Sequence, residues 1–252
     1  MTDAPKTDLS AAREHIAQAC RVLASRSLSD GFLGHISLRV SAEHMLIRCR
    51  GPHERGLAWT EARDVRLVKM DGSQGAPGEL DGWSPPSELP LHAEVLRHRS
   101  DVEAVVHAHP PAVVAADLAG LGIRPIIGAF DIPGAKLAAG GVPVYPRSAL
   151  IRNKTLAREM VDAMAERPVV ILRGHGVTAT GDSVAQAVLR VLSLDTIARM
   201  SLAVVSAGGA LRDISDEDMA ELPDLGSSLN LEIAWRHELS RLEQTTRSIT
   251  CR

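Results

Sequence analysis

A short apolar run with two histidines, ending in two prolines, fixes much of what this 252-residue chain can form: residues 105–111 (VVHAHPP). Side chains alternate across a β-strand, so His107 and His109 point to the same face and can converge on one ion. Pro110 and Pro111 cannot continue a strand ladder but suit the first turn of a helix. The run therefore predicts a strand–helix unit with two imidazoles near its junction.

A third histidine, His175, lies far downstream between Gly174 and Gly176. Three neutral imidazoles with open positions for a substrate suit a catalytic site for a divalent transition ion, such as zinc, manganese, iron or cobalt. A fourth ligand or acid–base group is not identified by spacing alone. The acidic candidate is Glu88. Ser87 and Glu88 at the start of a predicted helix also fit the capping and charge preferences of a helix N-terminus, and spacing alone favours this second interpretation.

Composition restricts the possible partners and compartments. The net charge of −3 and the aromatic content of 2% provide no basic stripe and few stacking platforms, so we expect no nucleic-acid partner. The N-terminus lacks the apolar stretch of a signal peptide, and no segment reaches the ~18 consecutive apolar residues of a membrane span. Cys20, Cys49 and Cys251 share no metal-type spacing and are expected to be reduced thiols. We expect a soluble cytoplasmic enzyme with no membrane partner.

Helices and strands alternate without regular pairing, which favours one α/β domain with a mixed or antiparallel sheet. Strands are predicted over residues 34–40, 45–48, 65–70, 103–108 and 169–172. Helices are predicted over residues 10–28, 87–99, 112–119, 155–165, 183–205 and 231–242. Glycines and prolines predict short strands and turns over residues 120–146. We expect one domain over residues 1–252, with a core over about 10–205 and a C-terminal helical segment over about 206–252.

Four motifs resemble those of the class II aldolase/adducin family: residues 34–39 (GHISLR), 88–95 (ELPLHAEV), 99–109 (RSDVEAVVHAH) and 174–177 (GHGV). The resemblance covers about residues 10–205. It implies a three-layer α/β/α fold with a largely antiparallel central sheet flanked by helices. It also implies a homotetramer with active sites at the interfaces between neighbouring subunits.

The resemblance also implies roles for particular residues. It assigns metal binding to His107, His109, His175 and Glu88, and it gives Glu88 proton transfer as well. This reverses the preference for a simple helix-capping role of Glu88. A carboxylate that gains or loses a cation can act as base or acid, because the cation shifts its pKa.

Departures from the aldolase pattern point to another branch of the family. Sugar-phosphate aldolases and epimerases usually carry Gly-Asn-x-Ser where this chain has His35, and small hydroxyl residues where residues 48–56 (RCRGPHERG) carry cationic side chains. The aldolases also use a tyrosine after the segment corresponding to residues 124–127, whereas the only tyrosine here is Tyr145. The chain looks most like decarboxylases of hydroxylated aromatic dicarboxylates, on residues 50–57 (RGPHERGL), 78–83 (GELDGW) and 130–135 (FDIPGA).

That branch implies conversion of an aromatic diacid, with 3,4-dihydroxyphthalate giving 3,4-dihydroxybenzoate and CO2, and no organic cofactor. Arginine binds planar carboxylates in bidentate fashion, so Arg50 and Arg55 are candidates for the second carboxylate, with surface ion pairs as the alternative. His92, one helical turn after Glu88, is expected to orient it. His35 is a candidate for proton donation, or a structural histidine. Further candidate substrate contacts are Ser87, His53 and Arg236.

Two other functions are kept as alternatives. A sugar-phosphate aldolase or epimerase would turn over phosphorylated ketoses. A non-catalytic scaffold, as in the adducin branch, would be expected to have lost the metal histidines, and all three are present.

Overall fold

The computed structural model describes residues 8–250, and these contain a seven-stranded sheet in the order β3-β2-β1-β4-β7-β6-β5. The strands are β1 (His35–Arg39), β2 (His44–Arg48), β3 (Val65–Lys69), β4 (Ala104–Ala108), β5 (Val144–Tyr145), β6 (Val169–Leu172) and β7 (Gly176–Gly181). Neighbouring strands are antiparallel except for the parallel pair β5 and β6. The expected largely antiparallel sheet is confirmed.

Helices cover both faces of this sheet, because successive side chains of each strand point to opposite sides. The helices are α1 (Leu9–Ser25), α2 (Leu89–His98), α3 (Pro111–Leu118), α4 (Ile132–Ala138), α5 (Lys154–Met164), α6 (Val184–Ser206), α7 (Asp216–Glu221) and α8 (Ala234–Thr250). Ile36, Leu46 and Val106 pack in the core that includes α1, α3 and α6. Met45 and Val105 pack in a second core with α2 and α5. The α/β/α layering is therefore confirmed.

Helix α6 lies at the centre of the first core, where it contacts β4, β7 and helices α1, α3 and α4. Most faces of this helix carry apolar side chains, and the neighbouring strands and helices bury these faces. Its N-cap Ser183 accepts a hydrogen bond from the backbone N–H of Gln186. The helix is therefore fixed at its start by a side-chain cap and, as far as Ser201, by burial.

The prediction for residues 120–146 was wrong in one respect, because this region contains α4. Its N-cap Asp131 accepts a hydrogen bond from the backbone N–H of Gly134, and Pro133 lies in its first turn. Proline is tolerated there because the first helical N–H groups have no intrahelical partner. Strand β7 was also missed, since glycine at both of its ends suggests a loop.

Helix boundaries at the two termini also differ from the prediction. Helix α1 ends at Ser25 because Ser27 adopts a positive φ of 54° and the N–H of Leu28 returns to the carbonyl of Leu23. Helix α8 begins at Ala234, directly after a π-helical segment over Ser228–Ile233. Within the described part of the chain, none of the helices combines the length and the apolar character needed to cross a membrane.

Candidate metal centre

The end of β4 presents two histidines to one side of the sheet. His107 is the penultimate residue of the strand and is fully buried, and His109 follows immediately after it. The backbone N–H of His109 donates to Ser29 Oγ at 2.9 Å, which fixes the chain as it leaves the strand. Pro110 then occupies the N-cap of α3. The strand–helix junction predicted from the sequence is observed.

A tight β6–β7 hairpin brings the third histidine to the same place. Gly174 in this turn has a φ of +58°, a left-handed conformation that glycine adopts at little cost. A Cβ on Gly176 would overlap the carbonyl oxygen of Ala108 and lie 2.9 Å from His109 Cδ2. Only a residue without a side chain lets β7 approach the end of β4 this closely. The two glycines therefore place His175 beside His109.

Glu88 reaches the histidines from the start of α2. It occupies the N-cap position but makes no side-chain capping bond, so the capping explanation of this residue is wrong. Its Oε1 accepts a hydrogen bond from the backbone N–H of Ile151 at 2.9 Å. Its Oε2 lies 3.3 Å from His107 Nε2 and 3.8 Å from His175 Nε2. The carboxylate is buried and faces the imidazoles.

Glu88, His107, His109 and His175 form a group, called here the metal cluster, whose candidate ligand atoms all lie within 4.8 Å of one another. His107 Nδ1 donates to the carbonyl of Val177 at 3.0 Å, which leaves its Nε2 free to bind an ion. That Nε2 lies 2.8 Å from His109 Nε2. Three nitrogens and one carboxylate are a donor set that transition ions accept. The residues present therefore fit a divalent metal.

Burial sets the ionisation of this cluster. Desolvation lowers the pKa of His109 to about 3, with a further contribution from His107, and desolvation also lowers the pKa of His175. Burial acts to raise the pKa of Glu88, but the neighbouring His107 and His35 rings outweigh it and lower the pKa. Neutral imidazoles and an ionised carboxylate are the forms that bind metal ions.

His35 lies next to the cluster, paired across the sheet with His107. Its Nε2 is 3.8 Å from Glu88 Oε2, and burial lowers its pKa to about 4. Its Nδ1 contacts His92 Nε2 at 2.7 Å, and His92 Nδ1 contacts Ser37 Oγ at 2.7 Å. The prediction that His92 orients Glu88 was wrong: its two ring nitrogens bond His35 and Ser37. Sequence reasoning missed this pairing because it joins α2 to β1.

The predicted substrate contacts lie outside the metal cluster and on the surface. The Arg50 guanidinium lies 5.2 Å from the centre of the Phe32 ring. Arg55 pairs with Glu61 at 3.2 Å and stacks on Trp59. Three further candidates are exposed: Ser87, His53 and Arg236. The roles of all five stay predictions.

The buried arginine of the cationic loop is Arg48, which the sequence did not single out. Its guanidinium bonds Glu54 at 2.6 Å and Thr60 Oγ1 at 3.2 Å. These bonds tie β2 to the loop that follows it. Arg48 therefore holds the loop that carries Arg50 and Arg55 in place.

Comparison with known proteins agrees with the fold. The family of class II aldolase and adducin N-terminal domains matches residues 14–202. The chain is 67% identical, over 92% of its length and 97% of the relative's, to the 3,4-dihydroxyphthalate decarboxylase of Terrabacter sp. (strain DBF63). It is 68% identical, over 92% of its length and 94% of the relative's, to the protein of that name from Arthrobacter keyseri.

A solved structure, the aldolase II superfamily protein from Pseudomonas syringae, matches with a TM-score of 0.79 at 22% identity, over 96% of this chain and 95% of that one. At this identity the match concerns the fold alone. The chain belongs to the class II aldolase and adducin family, and the resemblance inferred from its motifs is confirmed. The family is typically metal-dependent, and the cluster could bind a metal.

Proposed function

We propose that the chain is a carboxy-lyase that converts 3,4-dihydroxyphthalate to 3,4-dihydroxybenzoate and CO2, a step in the degradation of aromatic diacids. The observation that carries this proposal is a complete metal cluster of three histidines and a glutamate in a chain about two-thirds identical to named decarboxylases of this substrate. The relatives align over nearly their whole length. Substrate and reaction type are therefore taken from them together.

His107, His109 and His175, with Glu88, would hold a divalent ion, for which zinc, manganese, iron and cobalt all suit the donors. Such an ion supplies Lewis acidity, which stabilises negative charge on an oxygen next to the reacting ring carbon. His107 is held in the tautomer with a free Nε2 by its bond to Val177. The chain thus prepares this ligand before any ion binds.

We propose that Glu88, ionised before the substrate binds, accepts the proton of the substrate hydroxyl and delivers it to the ring carbon, and that the product oxygen regains a proton from solvent on release. The reaction breaks the bond between the ring and the departing carboxylate, and the same ring carbon gains a proton. Protonation of that carbon comes first, and the electron pair of the broken bond returns to the ring as CO2 leaves. Glu88 lies at the cluster with only 4% of its surface exposed, so no bulk water competes for its proton. Positioned general acids of this kind contribute about 10²–10⁴-fold to rate.

The second carboxylate of the substrate is assigned to the cationic loop. Arg50 is exposed and makes no ion pair that the described residues show, which leaves its guanidinium available to a planar anion. Arg55 pairs with exposed Glu61, an ion pair that contributes little and can exchange for substrate. Ser87, His53 and Arg236 complete the proposed substrate contacts. Exposure of these residues is consistent with a site that neighbouring subunits of a homotetramer close.

A sugar-phosphate aldolase is not favoured by any residue of this site. The chain's only tyrosine, Tyr145, is buried on β5 and its hydroxyl donates to Glu159 at 2.7 Å. Its ring packs in the second core. Loss of the metal histidines, which the scaffold alternative requires, has not occurred.

Product analysis tests the proposal directly. Purified protein is incubated with 3,4-dihydroxyphthalate, and with a panel of phosphorylated ketoses, and the products are identified by chromatography. Loss of the carboxylate next to the hydroxyl gives 3,4-dihydroxybenzoate, whereas loss of the other carboxylate gives 2,3-dihydroxybenzoate. The proposal predicts the first product alone. Cleavage of a phosphorylated ketose, with no reaction of the diacid, would contradict it.

A further inference from the structure

Three buried polar side chains form a hydrogen-bonded row that ends at the metal cluster. Ser37 Oγ contacts His92 Nδ1, and His92 Nε2 contacts His35 Nδ1, both at 2.7 Å. His35 Nε2 then faces Glu88. His92 and Ser37 have no exposed surface, and His35 has 5%. His35 and Ser37 lie two residues apart on β1, so they share a face and one ring from α2 spans both.

The buried end of the row fixes the direction of its hydrogen bonds. Within the described residues, His92 Nδ1 is the one hydrogen-bond partner of the Ser37 hydroxyl. A buried hydroxyl hydrogen needs an acceptor, so Ser37 donates and His92 Nδ1 carries no proton. His92 then holds its proton on Nε2 and donates to His35 Nδ1. His35 consequently holds its proton on Nε2.

The other end of the row is compatible with this arrangement. The Glu88 carboxylate accepts a hydrogen bond from the backbone N–H of Ile151, and a metal-binding carboxylate can only accept hydrogen bonds. A proton on His35 Nε2 faces this carboxylate favourably, whereas a lone pair there would face it at a cost. Reversing every bond would leave the Ser37 hydrogen without an acceptor and set two acceptors against each other. One arrangement of the three side chains satisfies both ends.

We propose that His92 and Ser37 are positioning residues that hold His35 as the Nε2–H tautomer, so that it faces the metal cluster as a hydrogen-bond donor and not as a fourth imidazole ligand. A lone pair on His35 Nε2 would add a further metal ligand beside Glu88 and His107. The ring centres of His35 and His107 are 5.0 Å apart. Excluding this further ligand preserves open positions for a substrate. The N–H serves a substrate oxygen or the Glu88 carboxylate, an assignment that rests on the proposed function.

Nitrogen NMR of the zinc-loaded protein, labelled with ¹⁵N-histidine, tests the tautomer without any substrate. We expect a protonated Nε2 and a bare Nδ1 for both His35 and His92, assigned by loss of signals in variants. His92→Phe keeps a ring but removes both nitrogens, and a second His35 tautomer is expected to appear. Ser37→Ala removes the hydroxyl that bonds His92 and should have the same effect on His35. This second variant provides the test if His92→Phe does not fold.

Rescue by a matched amide separates positioning from packing. The terminal amide of His92→Gln offers one donor and one acceptor, so the Nε2–H tautomer of His35 should be retained. On the proposed substrate, His92→Phe is expected to lower kcat by about 10- to 100-fold with unchanged zinc content, and His92→Gln to recover most of it. His44→Phe removes another serine-paired histidine, the partner of Ser41 at 3.2 Å, and should change neither readout.

Two results would overturn the proposal. One is a wild-type His35 that carries its proton on Nδ1, and the other is a His35 tautomer that is unchanged in both His92→Phe and Ser37→Ala. If the protein shows the expected tautomers but does not act on the diacid, the proposed substrate is contradicted and the positioning role of His92 and Ser37 is still supported.

Discussion

Replacing Gly176 by alanine tests how closely β7 must approach β4, the strand that carries His107. A Cβ there would lie 2.9 Å from His109 Cδ2, whereas ordinary van der Waals contact begins near 3.4 Å, so the ring must move by at least 0.5 Å. The Ala108 carbonyl must move further. Overpacking of this kind costs about 1–3 kcal/mol of stability. Because His109 and the neighbouring His175 both belong to the cluster, the displacement should also lower metal affinity and kcat by about 10- to 100-fold.

Gly181 at the other end of β7 supplies the matched control. A Cβ on Gly181 would lie 2.8 Å from the backbone nitrogen of Ala187 and 3.0 Å from the carbonyl of Ser183, a smaller overlap than the Gly176 Cβ would make with the Ala108 carbonyl. Gly181→Ala should therefore also destabilise the protein, but its contacts are with the start of α6 and not with the cluster. Bound metal is measured by elemental analysis after gel filtration, stability by urea unfolding, and kcat by CO2 release.

The reasoning is refuted if Gly176→Ala binds metal and turns over substrate like the wild type. It is also refuted if both variants lose metal equally, since the effect would then follow from destabilisation alone. The expected result is that both variants are destabilised, whereas only Gly176→Ala loses metal.

Three further predictions concern Glu88, the bound ion and Glu79, a carboxylate that pairs with Arg13. Glu88→Gln keeps an acceptor for the Ile151 N–H but cannot deliver a carboxylic proton. Steady-state assays should therefore give a kcat about 10²–10⁴-fold lower. An unchanged kcat would exclude the proposed proton role of Glu88. Chelation should lower the thermal midpoint, because an ion at a hundred times its Kd adds about 2.7 kcal/mol; a midpoint insensitive to chelator would argue against a bound ion. Burial acts to raise the pKa of Glu79, but Arg13 and the Leu67 N–H bind its ionised form and lower it. Glu79→Gln should therefore destabilise the protein at pH 7 in urea unfolding, and the difference from wild type should shrink as the pH falls below about 4.3; a constant difference would contradict this.

The metal cluster could be predicted from the sequence because its signals are local. Strand alternation places His107 and His109 on one face, and the glycines around His175 announce a tight turn. The prolines after the strand correctly predicted the start of α3. Glu88 was different, since its spacing also suited a helix cap, and family resemblance was needed to prefer the cluster. Its carboxylate in the structure points to the imidazoles.

The missed features depend on contacts between distant segments. Nothing near His92 reveals that its ring spans His35 and Ser37, because the three residues meet only when α2 packs on β1. Helix α4 was missed because glycine and proline usually interrupt helices, whereas here Asp131 caps the helix and the proline occupies its first turn. Local patterns give element types and periodic faces, and tertiary packing decides which polar groups meet.

Release of CO2 from 3,4-dihydroxyphthalate tests the central claim most directly. The purified protein is assayed as isolated, after removal of metal by chelation, and after restoration with zinc, manganese, iron or cobalt in turn. The account predicts release that is lost on chelation and recovered with at least one ion, with 3,4-dihydroxybenzoate formed in equal amount. Absence of release from protein shown to contain metal at the cluster would contradict it.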